Sequence, residues 1–197
     1  MLITRVEPEN KSRYRIWLND EPAFRLYKAE VLRYGIREGK ELSREMQEEI
    51  YSAVLLKRAK LRCMHLLERI DKTEQQLRRK LKQEEYPDAV AEDAIAYVKS
   101  YGYVDDFRYA LNYIESQKER KSRQQIQFEL RNRGISGETV SAAFEESEPV
   151  DVTAQILRLA EKKRLDLHSQ DPISRQKFCQ FLLRKGFSYS DIKKALT

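Results

Sequence analysis

Asp105 and Asp106 are the residues whose type and spacing come nearest to acid–base or metal chemistry. Two neighbouring carboxylates can hold a divalent cation or share the roles of general acid and general base. The pair nevertheless follows Gly102 and stands directly before an apolar helical pattern, where an aspartate is typical of a helix N-cap. His65 and His168 have no serine, cysteine or further metal ligand at a suitable spacing, and no glycine-rich phosphate loop occurs. We therefore interpret Asp105 and Asp106 as structural residues.

The two cysteines, Cys63 and Cys179, lie far apart and belong to neither a CxxC motif nor a Cys/His cluster. This arrangement indicates neither a disulfide framework nor a zinc site, so we expect both cysteines to be buried apolar residues. The sequence thus predicts a protein that is not an enzyme and that needs no metal or cofactor.

Basic side chains are the second group that could do chemistry. The chain has 38 Lys and Arg against 32 Asp and Glu, a net charge of +6, which favours polyanions or acidic protein surfaces as partners. Helical spacing keeps Arg78, Arg79 and Lys82 off the apolar face of Leu77 and Leu81. One such charge alone is typical of a solvated helix surface, whereas a set that recurs along the chain is a candidate contact surface. The candidate contact residues are Arg78, Arg79, Lys82, Lys118, Arg120, Lys121, Arg123, Arg131, Arg133, Lys162, Lys163, Arg164, Arg184 and Lys185.

The part of the chain that positions these cations repeats itself three times. Segments that begin at Thr73, Ser122 and Ser174 align without a gap as TEQQLRRKLKQEEY, SRQQIQFELRNRGI and SRQKFCQFLLRKGF. Each begins with a hydroxyl residue, has glutamine two positions later and leucine eight positions later, and is followed by an alanine at one common offset. Such self-similarity predicts stacked helical units.

Apolar residues recur with helical period from Ser43 onward. We predict a mainly α fold of three three-helix units, elongated and curved, in repeats 43–102, 103–148 and 149–197. The first helix is predicted to end near Asp71 and to bury Met46, Ile50, Ala53, Val54, Leu61, Met64 and Leu67. The expected core of the later helices comprises Phe107, Ala110, Leu111, Ile114, Ile126, Leu130, Val140, Ala143, Phe144, Val152, Ile156, Leu159, Ala160, Phe178, Leu182, Ile192 and Leu196.

Capping residues support these helix boundaries. The spacings of Thr73 with Gln76 and of Ser122 with Gln125 are those of a capping box. Three glycines stand where helices should end in a left-handed residue, and an aspartate before proline predicts a further helix start. These residues are Gly102, Gly134, Gly186 and Asp171-Pro172.

Residues 1–42 have the pattern of a small sheet. Residues 13–18 alternate polar and bulky apolar side chains, Asn19 to Glu21 predict a turn, and residues 23–26 and 2–6 complete a meander. A short helix over residues 28–34 should follow and end at Gly35. The aromatic residues Tyr14, Trp17, Phe24 and Tyr27 could stack on bases, but rings on small sheets are more typical of a core. We expect an accessory domain.

The segment GYVDDFRYA, residues 102–110, resembles the GYxDDxxFA signature of the RecX family. The signature residues present are Gly102, Tyr103, Asp105, Asp106 and Ala110. Family members follow this segment with a basic stretch, an xLxxxGI pattern and a final Gly-Phe pair, which correspond here to residues 118–123, 129–135 and 182–187. The resemblance covers residues 59–197. Tyr109 stands where phenylalanine is usual, and Glu85 replaces a helix-ending glycine.

The resemblance implies an all-helical, non-catalytic modulator, chiefly an inhibitor, of the RecA recombinase. Such a protein lies in the groove of the RecA filament on single-stranded DNA and bridges adjacent protomers. It restrains filament growth, ATP hydrolysis, strand exchange and co-protease action in the SOS response. An alternative is a helical DNA-binding module that acts without RecA. The sequence has no apolar stretch of membrane-spanning length and no signal peptide, so we expect a cytoplasmic protein. We also expect a monomer.

Overall fold

The computed structural model describes residues 1–164 and 172–196. The chain divides into two compact units, Met1–Asp105 and Asp106–Thr197. Helices dominate both units, and the N-terminal residues form a three-stranded antiparallel sheet. The predicted fold class, three helical repeats preceded by a small sheet, is confirmed.

The sheet consists of neighbouring antiparallel strands in chain order: β1 (Ile3–Pro8), β2 (Arg13–Leu18) and β3 (Glu21–Tyr27). Leu18 pairs with Glu21, so the turn is one residue shorter than predicted and contains only Asn19 and Asp20. Both turn residues have positive φ, 50° and 68°, as a type I′ hairpin turn requires. Helix α1 (Lys28–Arg33) follows. Gly35, at φ 56°, lies just beyond it as predicted.

Residues 44–67 form a continuous helical stretch: α2 (Arg44–Glu49), a π-helical segment (Ile50–Leu56) and α3 (Lys57–Leu67). Its end lies four residues before Asp71. The π segment lengthens each turn, so Ile50 is followed on the buried face by Leu55, at a spacing of five, and then by Ala59 and Cys63.

This change of period makes part of the predicted face wrong. Ala53, Leu61 and Met64 are exposed because a uniform period of 3.6 residues does not hold across the π segment.

Two further helices complete the first unit: α4 (Glu74–Gln83) and α5 (Asp88–Ser100). The Thr73 hydroxyl accepts from the Gln76 amide, and the Thr73 amide donates to Gln76 Oε1, each at 3.2 Å. The first predicted capping box is therefore confirmed. Leu77 and Leu81 of α4 join one apolar core with residues of the sheet, such as Ile16.

Glu85 follows α4 and occupies the left-handed region at φ 57°, although it is not glycine. The Tyr86 amide donates to the Leu81 carbonyl at 3.1 Å, which closes the helix end. The Glu85 carboxylate lies 2.8 Å from Arg15 and 3.0 Å from Arg25, which are paired across β2 and β3. The turn survives without glycine, and the glutamate joins it to the sheet.

The second unit contains six helices in its described part: α6 (Asp106–Gln117), α7 (Arg123–Asn132), α8 (Gly137–Glu146), α9 (Val152–Lys162), α10 (Pro172–Arg184) and α11 (Tyr189–Leu196). One apolar core forms around Ile126 and Leu130, and a second around Phe178 and Leu182. Most predicted core positions are confirmed. Phe107, on the first turn of α6, is exposed and is an exception.

The second predicted capping box is only half formed. The Ser122 hydroxyl accepts from the Gln125 amide at 3.2 Å and donates to the Lys185 carbonyl at 2.5 Å. Gln125 Oε1 makes no hydrogen bond with the described residues. In the third repeat, Ser174 lies inside α10 rather than before it. Asp171, the predicted cap of that helix, lies outside the described residues.

Polar contacts join the second and third repeats within this unit. Buried Gln155 donates from Nε2 to the carbonyls of Lys118 and Lys121, at 3.0 and 2.9 Å. Gly186, at φ 81°, approaches α7 so closely that an added Cβ would lie 2.9 Å from the Ser122 hydroxyl. Glycine is needed there both for its backbone conformation and for lack of space.

Candidate interaction surface

The basic residues of α4 divide into one paired and two unpaired side chains. Arg78 lies against α5, where its Nη2 donates to Glu92 at 2.8 Å, and this hydrogen bonding lowers the pKa of Glu92. Arg79 and Lys82 are exposed and make no ion pair with described residues. Sequence spacing predicted an outward orientation for all three. It holds fully for Arg79 and Lys82 only.

Lys118 and Lys121 are held by carboxylates of their own unit. Lys118 pairs with Glu115 at 2.5 Å, and this hydrogen bond raises the pKa of Lys118. Lys121 donates to Glu129 at 2.7 Å, and this bond raises the pKa of Lys121. Burial opposes ionisation of Glu129, yet hydrogen bonds from Lys121 and Tyr113 leave its pKa below the ordinary value. Lys118 is therefore engaged at the end of α6, and Lys121 joins the residues after α6 to α7.

Four further candidate cations lie over aromatic rings. Arg123 stands 4.5 Å from the centre of the Phe144 ring, and Arg133 stands 4.2 Å from that of Tyr113. Lys163 and Lys185 both approach Phe181, at 4.3 and 5.8 Å. Cation–π contacts of this kind position the side chains while leaving their charge available to a partner.

The remaining candidates are exposed cations that make no ion pair within residues 1–164 and 172–196. They are Arg79, Lys82, Arg120, Arg131, Lys162, Arg164 and Arg184. Two belong to the first compact unit and five to the second. Because no described carboxylate neutralises them, they can attract anionic groups outside the chain. We call these seven residues the unpaired cations.

The signature segment lies at the start of the second repeat. Gly102 has φ 71°, Asp105 directly precedes α6, Asp106 is its first residue, and Ala110 is buried in the core. These positions agree with the structural interpretation of the acidic pair.

Three tyrosines of the first unit lie at or just before the signature segment: Tyr101 and Tyr103 are exposed, and Tyr97 is partly buried against the core. The ring centres of Tyr97 and Tyr101 are 4.9 Å apart, and those of Tyr101 and Tyr103 are 6.2 Å apart. Lys60 stands 4.2 Å from the Tyr97 ring.

The aromatic residues of the sheet are largely covered. Phe24 is buried, and Tyr14 packs against the core. Arg58 lies 4.5 Å from the Tyr27 ring, and Arg5 lies 4.7 Å from the Trp17 ring. The core interpretation of these rings is therefore the better of the two alternatives.

A groove between α7 and α10 was not expected from the sequence. It has a volume of about 470 Å³, and its lining includes Phe128, Phe181, Leu183 and Arg184. Phe128 occupies the repeat position that holds Arg79 in the first repeat and Gln180 in the third. An apolar residue at an otherwise polar position is the signal that could have indicated this groove.

The described residues contain no group of three or more His, Cys, Asp or Glu side chains that could hold a metal ion. His65 is exposed beside Glu68, 3.3 Å away, and His168 lies outside the described residues. Cys63 is buried as predicted, and burial raises the pKa of its thiol to about 11. Cys179 is partly buried against the core of the third repeat. Across the described part of the chain, no helix combines the length and apolarity needed to cross a membrane.

Comparisons with known proteins agree with the three-repeat architecture. Models of the first, second and third three-helix domains of RecX match residues 59–97, 105–143 and 151–196. The regulatory protein RecX of Caldanaerobacter subterraneus subsp. tengcongensis is 31% identical, over 100% of this chain and 98% of its own length. That of Clostridium acetobutylicum is 25% identical, over 98% and 94%.

Two solved structures share the fold. A crystal structure of regulatory protein RecX matches with a TM-score of 0.64 at 24% identity, over 98% of both chains. RecX from Lactobacillus salivarius matches with a TM-score of 0.63 at 20% identity, over 73% of this chain and 96% of its own.

Proposed function

The chain belongs to the RecX family of regulatory proteins, and from that premise we propose that it is a non-catalytic inhibitor of RecA. It binds in the groove of the RecA filament on DNA, across adjacent protomers, and restrains filament growth. ATP hydrolysis, strand exchange and SOS co-protease activity fall as a consequence. The observation that carries this proposal is the ordered match to all three RecX domains.

The unpaired cations support the proposed binding mode. Each exposed cation contributes only about 0–1 kcal/mol to a contact with an anion. Contacts made by linked repeats add together, because the first contact raises the effective concentration of the next. A filament offers the same anionic surface on every protomer, so the chain binds filaments better than free RecA.

The experiment is to follow RecA assembly on single-stranded DNA by electron microscopy. We expect a substoichiometric amount of this protein to shorten the filaments, because one bound molecule restrains many later additions. Filaments of unchanged length at saturating amounts of the protein would contradict the proposal.

The second candidate function is DNA binding without RecA. The Tyr97, Tyr101 and Tyr103 rings beside Lys60 favour it, since stacked aromatic side chains and cations together bind single strands. Direct binding should weaken steeply as salt is added. Negligible binding of the protein alone to DNA at moderate ionic strength would exclude this candidate.

A further inference from the structure

We propose that the groove between α7 and α10 binds a peptide segment of RecA that has an apolar side chain flanked by carboxylates. This inference rests on the proposed function and names one contact site for it. The groove lies entirely within the second compact unit, between its two repeats.

The apolar part of the groove is open to solvent. Phe128 is 65% exposed and Leu183 is 46% exposed, whereas Phe181 is partly buried against the core around Phe178 and Leu182. A phenylalanine this exposed contributes little to the core of its own unit. An apolar side chain of a partner would remove both exposed residues from water, which favours binding.

The polar part of the groove is positively charged. Arg184 lines it and makes no ion pair with described residues, and Lys185 lines it as well. Lys163 stands over the Phe181 ring at 4.3 Å. None of the described lining residues is acidic, so the complementary ligand carries carboxylates or phosphates beside its apolar group.

Gln125 indicates which kind of molecule carries these anionic groups. Gln125 borders the groove, and its buried Oε1 accepts no hydrogen bond from the described residues. A buried amide oxygen needs a donor. The backbone N–H groups of a peptide supply one once the Gln125 side chain turns toward the groove, whereas the phosphate oxygens of a nucleic-acid backbone only accept. This oxygen therefore favours a peptide backbone over a phosphodiester backbone as the ligand.

The first test compares two exposed aromatic residues of the same unit. Phe128→Ala should raise the concentration for half-maximal inhibition of RecA ATPase at least about tenfold, as truncation of a central anchor does. Tyr189→Ala is the matched control, since Tyr189 is 69% exposed on α11, and it should change that concentration less than about twofold. Circular dichroism checks that both variants fold.

If the wild-type protein and the Phe128→Ala variant inhibit RecA equally well, the proposed peptide site is wrong, but the proposed inhibition of RecA stands. Wild-type protein that fails to inhibit would overturn the proposed function and this inference with it.

The second test places a photo-crosslinking benzoylphenylalanine at position 128 and irradiates the protein with RecA filaments on single-stranded DNA. We expect an adduct with RecA. An adduct with DNA, or with a second copy of this chain, would overturn the proposal. So would the absence of any adduct from a variant that still inhibits.

Discussion

Arg120 and Lys121 are neighbours in the chain, yet only Lys121 has a carboxylate partner, Glu129. Membership of a basic segment therefore does not decide whether a lysine or arginine is available to a ligand. Neighbours in the fold decide it: of the fourteen candidates, three have carboxylate partners, four lie over aromatic rings, and the seven unpaired cations have neither in the described part of the chain. Contact by any of the fourteen with RecA or DNA remains a prediction.

Glu85 gives a test of residue-level strain. Replacement by glycine and by glutamine removes the same carboxylate, but only glycine fits φ 57° without a Cβ penalty. We expect Glu85→Gly to be more stable than Glu85→Gln by about 1 kcal/mol. Urea unfolding followed by Trp17 fluorescence measures this, because Trp17 is the only tryptophan and lies in the same unit.

The difference in unfolding free energy between wild type and Glu85→Gln measures the contribution of the ion pairs with Arg15 and Arg25. Their loss should cost up to about 1 kcal/mol at low salt and less at high salt. Equal stability of the glycine and glutamine variants would show that the left-handed turn stores no strain.

At the level of helices and strands, local signals predicted most of the architecture. Hydroxyl caps and glycines mark helix ends through contacts a few residues apart, so the ends at Thr73 and Gly134 could be predicted without knowing the fold. The π segment could not be predicted, because it has the composition of an ordinary helix. It changes only which positions along the helix are buried. The groove at Phe128 was missed for a different reason, since α10 reaches α7 only through tertiary packing.

Gln155 gives a test at the level of packed helices. Its two hydrogen bonds satisfy carbonyls of Lys118 and Lys121, just after α6, so Gln155→Ala removes the donor of two partly buried acceptors. We expect the second unit to lose about 1–3 kcal/mol of stability. Urea unfolding followed by far-UV circular dichroism should show a lowered midpoint for part of the helical signal.

Trp17 fluorescence, which reports on the first unit, should keep its midpoint in this variant. Gln180→Ala is the control, because Gln180 is exposed on α10. A Gln155→Ala variant as stable as the Gln180→Ala control would contradict a role for Gln155 in joining the repeats.

For the whole molecule, we propose that the three related repeats use similar inward residues for folding and different outward residues for binding. The repeated leucines are buried in all three copies, whereas the position of Phe128 differs between them. The unpaired cations occur in both compact units. This distribution suits multivalent attachment to a polymeric partner, which no single unit could achieve as strongly.

Binding by the outward cations is tested most directly by the ATPase rate of RecA on single-stranded DNA with substoichiometric protein. We expect wild type to slow the rate, and a variant with Arg120, Arg131 and Arg184 changed to Glu to need at least about tenfold more protein. A control with Lys11, Arg37 and Lys57 changed to Glu has the same net charge and should act as wild type does. An unchanged ATPase rate at saturating wild-type protein would contradict inhibition of RecA by this chain.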